Sequence, residues 1–288
     1  MGLGAWFYEK LGNYLTKERP HKRGYLCDFG RICHEVKPAD VLLIEGQSRV
    51  SSIIQKITLS PWSHAALYIG RLHDIDDVKL REKIQRHYQG RPSDQLLIES
   101  IVGKGTVVTS IKHYSDDHIR ICRPTGLSYQ DTQKVIQYAA KYLGVNYSIR
   151  HFIDLGRFIL RSHLLPGRWF SSLFVFQPGQ VSEDICSSII ATAFGSISFP
   201  ILPLVREEEH NKYSLIRRNP RLFTPSDFDY SPYFDIIKYP IFAFGEKAQY
   251  RSLPWVDNAY SNDEKGIFQL NPTEKNTKPV PPKKTPEK

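Results

Sequence analysis

The sequence contains few cysteines and no long apolar run. Its four cysteines, Cys27, Cys33, Cys122 and Cys186, show no Cys-x-x-Cys spacing, which argues against a common zinc site and against a disulfide-rich scaffold. No apolar run approaches the roughly 20 residues that a membrane-crossing helix needs. The start lacks signal-peptide features, and Trp6 stands where a myristoylation motif has Ser or Thr. We therefore expect free thiols, no metal or other cofactor, and a cytoplasmic location.

Positive charge is in excess and is partly concentrated near the C-terminus. The formal net charge is +9, and residues 271–288 contain five lysines and five prolines with almost no apolar residue. Such a stretch cannot bury enough surface to order itself. No nucleic-acid-binding motif accompanies the charge, so a specific nucleic acid is not an expected partner. Two interpretations of the charge stay open: it aids solubility, or it brings the protein to an anionic membrane surface, which would make the protein peripheral to membranes.

The domain organisation predicted from the sequence is one main domain with additions. We predict an N-terminal arm over 1–35, the main domain over 36–255 and a disordered Pro/Lys-rich tail over 256–288. An insertion at about 148–177 interleaves large apolar residues with arginines. This composition favours a helical insertion packed on the core; the alternative is a segment that lies on a membrane or covers an acyl site.

Short apolar elements follow one another closely. Residues 41–44 form an apolar run typical of a buried strand. Between 50 and 57, apolar residues recur with the spacing of one helical face, and His64 opens the next strand. Further strands are predicted at 96–100, 105–109 and 119–123, and further helices at 78–87 and 128–143. Because short loops favour antiparallel pairing, the sequence predicts an α+β fold.

Two reactive side chains stand at the starts of apolar elements. His64 opens a predicted strand, and Cys186 heads the apolar run 185–191. A thiol attacks a carbonyl carbon only as the thiolate, which a nearby imidazole allows to form near neutral pH. The pair predicts a cysteine hydrolase or acyltransferase. The alternatives are a small apolar cysteine in a helix core and a strand-end histidine bonded to backbone.

Five short segments, taken in chain order, resemble the permuted papain-like amidases of the YaeF/YiiX-like family. The segments are 37–43, 60–70, 97–100, 144–147 and 184–188. The family belongs to the NlpC/P60 superfamily, and enzymes similar to lecithin:retinol acyltransferase are more distant relatives. The resemblance implies a permuted papain-like fold, in which an antiparallel sheet or barrel packs against helices and the histidine precedes the cysteine.

The resemblance also implies a role for each member of a triad. Cys186 matches the nucleophile at the start of a helix, His64 the general base, and Glu99 the polar residue that orients the imidazole. We expect Glu99 to be drawn into the interior, the alternative being a strand-end carboxylate in solvent. Ser182 is the expected N-cap, which places Cys186 where the helix dipole favours a thiolate.

The oxyanion site is less well defined than the triad. The backbone amide of Cys186 is one expected donor, and a second is needed. Tyr147 and Ser63 are both candidates, and the sequence does not choose between them.

The predicted function is that of a cysteine-dependent hydrolase acting through an acyl-enzyme on an amide or ester. The expected substrate is a peptide, a cell-wall amide or a lipid. Two alternatives remain open: an acyltransferase acting on lipids, and a binding module at anionic surfaces in which the thiol is idle.

Overall fold

The computed structural model describes residues 27–146, 186–208, 212–240, 259–261 and 268–270. The predicted insertion at 148–177 and most of the predicted arm and tail lie outside these ranges. The chain divides into two compact units. The first, 1–20 with 25–241, holds the main sheet and its helices. In the second, 21–24 with 242–288, the described part is a two-stranded antiparallel hairpin.

The helices and strands are numbered here in chain order. The helices are α1 (Phe29–Glu35), α2 (Arg49–Thr58), α3 (Val78–Arg86), α4 (Tyr129–Ala139), α5 (Cys186–Ser196) and α6 (Pro225–Tyr230). The strands are β1 (Val41–Glu45), β2 (His64–Gly70), β3 (Leu96–Ile101), β4 (Gly105–Ser110), β5 (His118–Pro124), β6 (Leu204–Glu208), β7 (Lys212–Ile216), β8 (Phe234–Ile237), β9 (Ala259–Ser261) and β10 (Phe268–Leu270).

One antiparallel sheet organises the first unit. Its six strands lie in the order β4-β3-β2-β1-β5-β8, and every neighbouring pair is antiparallel. The register pairs Ile44 with His64 and Leu67 with Ile98. The predicted α+β class, an antiparallel sheet packed against helices, is confirmed.

Side chains at the helix starts explain where several helices begin. Ser48, Asp77 and Ser128 each accept a hydrogen bond from a backbone amide in the first turn of α2, α3 and α4. Such caps satisfy amides that have no partner inside the helix. The sequence predicts helix α4 over 128–143, but the helix ends at Ala139 and a 3₁₀ turn, Ala140–Tyr142, follows it.

The sheet buries apolar side chains on both faces. One face contains Leu42, Ala66 and Leu97, and Ile32 of α1 packs in the same cluster. The other face packs against α4 and α5. Its residues include Val41, Leu43, Ala65, Leu67, Ile69 and Ile98. Because both faces are covered, β1 and β2 are continuous apolar runs without alternation.

The structure contains elements between 204 and 237 that the sequence did not reveal. Strands β6 and β7 form a separate two-stranded hairpin, and β8 joins the main sheet beside β5. Helix α6 begins with Thr224 and Asp227 in a capping box, with Pro225 at its first position. Within the described ranges, no helix combines the length and apolarity needed to span a bilayer.

A buried ion pair links Asp40, the residue before β1, to Arg123 of β5. The Asp40 carboxylate is 1% exposed and accepts hydrogen bonds from Arg123 at 2.8 and 3.0 Å. Burial raises the pKa of Asp40, although Arg123 opposes that shift by stabilising the charged form. Arg123 also donates to the carbonyl oxygen of Glu35 at the end of α1, so this one side chain ties a helix to the sheet.

We predict that Arg123→Met lowers the free energy of unfolding by about 3 kcal/mol, since it leaves the Asp40 charge buried without its partner. The measurement is urea denaturation at pH 7. Lys134→Met is the matched control, because Lys134 pairs with Asp131 in solvent and such pairs contribute less than about 1 kcal/mol. Equal effects of the two variants would contradict the prediction.

Candidate active site

The candidate site lies at the end of the sheet where β2 begins. His64 is the first residue of β2, and Glu99 lies on the neighbouring strand β3. Extending the register places Glu99 opposite Ala66, two residues from His64 on the same face. Adjacent strands thus bring the imidazole and the carboxylate together by ordinary sheet geometry.

His64 and Glu99 form a short hydrogen-bonded ion pair. Nε2 of His64 lies 2.5 Å from Oε2 of Glu99, and the two side chains are 18% and 0% exposed. Glu99 therefore lies in the interior and not in solvent. With Nε2 engaged by Glu99, Nδ1 is the ring nitrogen that can serve a nucleophile.

Cys186 is the first described residue of helix α5, and it is buried. Helix α5 packs against β2 and β3, which places the thiol beside the first residues of β2. Cys186 hydrogen bonds to His64, and the backbone amides of Ala65 and Ser187 also donate to its sulfur. The structure therefore brings together the three residues predicted to act as nucleophile, base and orienting carboxylate.

Electrostatics favour a thiolate–imidazolium pair. Burial alone would raise the pKa of Cys186, but the charge of His64, its hydrogen bond and the two backbone amides outweigh burial and lower it. Burial alone would lower the pKa of His64, but Cys186 and Glu99 outweigh burial and raise it to about 10. Each charge of the pair thus stabilises the other.

Two residues that the sequence analysis missed complete the environment of Glu99. The hydroxyls of Thr109 and Tyr114 both donate to the Glu99 carboxylate. Burial and the charge of Glu99 raise the pKa of Tyr114, so its hydroxyl stays protonated as a donor. These contacts and His64 lower the pKa of Glu99 against the effect of burial. The β3–β4 register places Thr109 opposite Leu97, on the same face as Glu99, which is the signal that could have revealed it.

A second set of contacts holds the segment that leads into His64. The indole nitrogen of Trp62 donates to Asp229 of α6 at 3.2 Å, and the Arg120 guanidinium stacks over the Trp62 ring at 4.6 Å. Arg120 in turn donates two hydrogen bonds to Asp229, at 2.5 and 2.6 Å. Asp229 and Arg120, both distant in sequence, thus fix the backbone immediately before β2.

The structure describes one of the two candidate oxyanion side chains, Ser63. The hydroxyl of Ser63 points to the carbonyl oxygen of Ile44 and accepts from the amide of Gly46, so its proton is used within the fold. Tyr147 lies outside the described residues, as does the predicted cap Ser182. The amide of Cys186 remains the expected donor. Metal-binding clusters of three or more His, Cys, Asp or Glu side chains are absent from the described ranges.

We predict that Cys186 is alkylated by iodoacetamide well before the other three thiols. Its pKa is lowered, whereas burial raises the pKa of Cys27, Cys33 and Cys122. The alkylation rate of Cys186 should rise through an inflection below pH 9, measured by peptide mass spectrometry. His64→Ala should move that inflection above pH 9, because burial raises the pKa of Cys186 and the imidazolium no longer opposes that effect. An unchanged inflection in His64→Ala would contradict the ion pair.

We predict that Glu99→Gln lowers the pKa of His64 from about 10, because it removes a negative charge that stabilises the imidazolium. NMR titration of the His64 ring measures the change directly, with His64→Ala providing the assignment. Glu45→Gln is the matched control, since Glu45 pairs with His118 at 2.9 Å at the same end of the sheet. A control variant that moves the His64 titration as far as Glu99→Gln would count against the assignment.

Comparisons with known proteins show which family and which solved structure the chain resembles. The model of the family described as "Permuted papain-like amidase enzyme, YaeF/YiiX, C92 family" matches residues 35–155, a range that includes His64 and Glu99 and ends before Cys186. Among solved structures, the chain is similar to the metalloprotein yiiX from Escherichia coli O157:H7. The identity is 14%, the TM-score is 0.44, and the alignment covers 70% of this chain and 97% of that one. No curated protein is significantly similar to the chain.

The order of the site residues along the chain, histidine before carboxylate before cysteine, is the order expected of a permuted papain-like domain. The resemblance predicted from the sequence is thus confirmed: residues 35–155 carry the sequence signature of the permuted papain-like amidases of the YaeF/YiiX family.

Proposed function

We propose that this protein is a cysteine-dependent hydrolase that cleaves an amide or ester through an acyl-enzyme on Cys186. The observation that carries the proposal is the buried contact between Cys186 and His64, with Glu99 bonded to the far side of the imidazole. A preformed thiolate with a proton held on the adjacent ring is the arrangement that acyl chemistry requires. The matched family, a family of amidases, supports the same class of reaction.

The first half-reaction forms the acyl-enzyme. Sγ of Cys186 attacks the carbonyl carbon, and the carbonyl π electrons move to oxygen, where the Cys186 amide at the start of α5 donates a hydrogen bond. The tetrahedral intermediate collapses and breaks the bond to the leaving nitrogen or oxygen. The proton held by His64 passes to that leaving group, which departs as an amine or alcohol.

The second half-reaction releases the acid. His64, now neutral, removes a proton from water while the water oxygen attacks the thioester carbon. Collapse of the second intermediate breaks the C–S bond, which restores the thiolate and the imidazolium and releases a carboxylic acid. Glu99 keeps the ring oriented and stabilises its charge throughout without accepting the proton. Thr109 and Tyr114 hold Glu99 in that position.

We predict that Cys186→Ala lowers the turnover of p-nitrophenyl acetate by at least about a thousandfold, because the attacking sulfur is lost. Mass spectrometry of wild-type protein quenched during turnover should show an acetyl group on Cys186. Cys33→Ala is the matched control, since Cys33 is a partly exposed thiol whose pKa burial raises, and it should retain full turnover. Full turnover by Cys186→Ala, or acetylation spread evenly over the four cysteines, would refute the proposal and favour an idle thiol.

A further inference from the structure

A cavity of about 880 Å³ lies on the far side of helix α5 from the thiol. It is lined by the C-terminal half of α5, by the loop after it, by β7 and by residues 217–223. Its wall includes Ala191, Gly195, Phe199, Ile201 and Leu215. A cavity of this size is within the range of ligand-binding pockets.

The cavity is separated from the site of the proposed hydrolase reaction. Gly195 in its wall follows Cys186 by nine residues on one helix. Nine residues are two and a half helical turns, so the two positions face opposite sides of α5 and lie about 13 Å apart along its axis. The helix therefore lies between a ligand in the cavity and the sulfur of Cys186.

The chemistry of the wall suits an alkyl chain. The hydroxyls of Thr192 and Ser196 already donate to the carbonyl oxygens of Ser188 and Ala193, each at 2.7 Å. Their protons are thus not available to a ligand, and the remaining lining is mainly aliphatic or aromatic. A wall in which apolar side chains predominate favours the hydrocarbon chain of a ligand over a wholly polar ligand.

The rim of the cavity adds a positive charge. Arg217 lines the cavity and donates to the hydroxyl of Ser198 at 2.6 Å, a neutral partner that does not itself compensate the charge. Among the described residues, no carboxylate pairs with Arg217, whereas its neighbour Arg218 is paired with Asp227. A guanidinium at the mouth of an apolar cavity is complementary to an anionic head on an alkyl chain.

The approach to the cavity is also apolar. Leu215 and Ile216 are 56% and 44% exposed although they belong to the cavity wall, and the register pairs them with Val205 and Leu204, which are exposed as well. Exposed apolar side chains gathered on one hairpin mark a place where an apolar ligand or partner binds.

From these observations we infer that the cavity is a second binding site, distinct from the catalytic centre, for a single-chain amphiphile with an anionic head, such as a free fatty acid. The alkyl chain lies along Ala191, Gly195 and Phe199, and the carboxylate meets Arg217 at the rim. Binding forms no covalent bond and does not need Cys186.

The test is calorimetric titration of the full chain with dodecanoate below its micelle concentration. We expect saturable binding of dodecanoate and at least tenfold weaker binding of dodecyltrimethylammonium, which has the same chain and the opposite charge. Gly195→Phe should weaken dodecanoate binding at least tenfold, because a side chain at Gly195 extends into open space in the cavity. Gly30→Phe is the matched control, as Gly30 is an exposed helical glycine with room for a side chain. It should bind as the wild type does.

Arg217→Gln provides a second variant that leaves the cavity wall intact. It should weaken dodecanoate binding without changing the binding of dodecanol, which has no charge. Alkylation of Cys186 should proceed at the wild-type rate in Gly195→Phe, which separates this site from the proposed hydrolase. The inference is overturned if dodecanoate does not bind saturably, if Gly195→Phe binds it as the wild type does, or if the protein binds phosphatidylglycerol vesicles but not monomeric dodecanoate.

Discussion

The site depends on three buried groups at the end of the sheet, Cys186, His64 and Glu99, whose charges compensate one another. A carboxylate with no exposed surface is costly unless its lone pairs are satisfied, and three donors satisfy Glu99. The carboxylate then stabilises the imidazolium, and the imidazolium stabilises the thiolate. Each group retains its charge in the interior because its neighbour does, so the site functions as a unit and not as three independent residues.

The fold supports this unit from both faces of the sheet. Strands β2 and β3 place His64 and Glu99 on the face covered by α1, and Tyr114 packs in the same cluster. Helix α5 packs on the opposite face and brings Cys186 to the end of β2, where the thiol meets the first residues of that strand. The apolar continuity of β2 follows from this arrangement, because α5 covers one face of the strand and α1 covers the other.

Local patterns in the sequence predicted the local elements, and the long-range contacts required the structure. The positions of Cys186 and Glu99 at or within apolar elements predicted a helix and a buried strand, both of which the structure contains. Thr109 is an ordinary residue until the β3–β4 register is known, and Tyr114 reaches Glu99 from the 3₁₀ turn that follows β4. Asp229 contacts Trp62 from 167 residues further along the chain. Hairpin register and distant pairing depend on tertiary packing, which propensity and periodicity do not encode.

The ultraviolet absorbance of the thiolate tests the central claim most directly, as the difference between wild-type protein and Cys186→Ala across a pH titration. The account predicts a thiolate signal already present at neutral pH, an inflection below the ordinary thiol value of 9.0, and loss of the neutral-pH signal in His64→Ala. A difference signal that appears only above pH 9, with or without His64, would contradict the account, because Cys186 would then be a protonated core thiol.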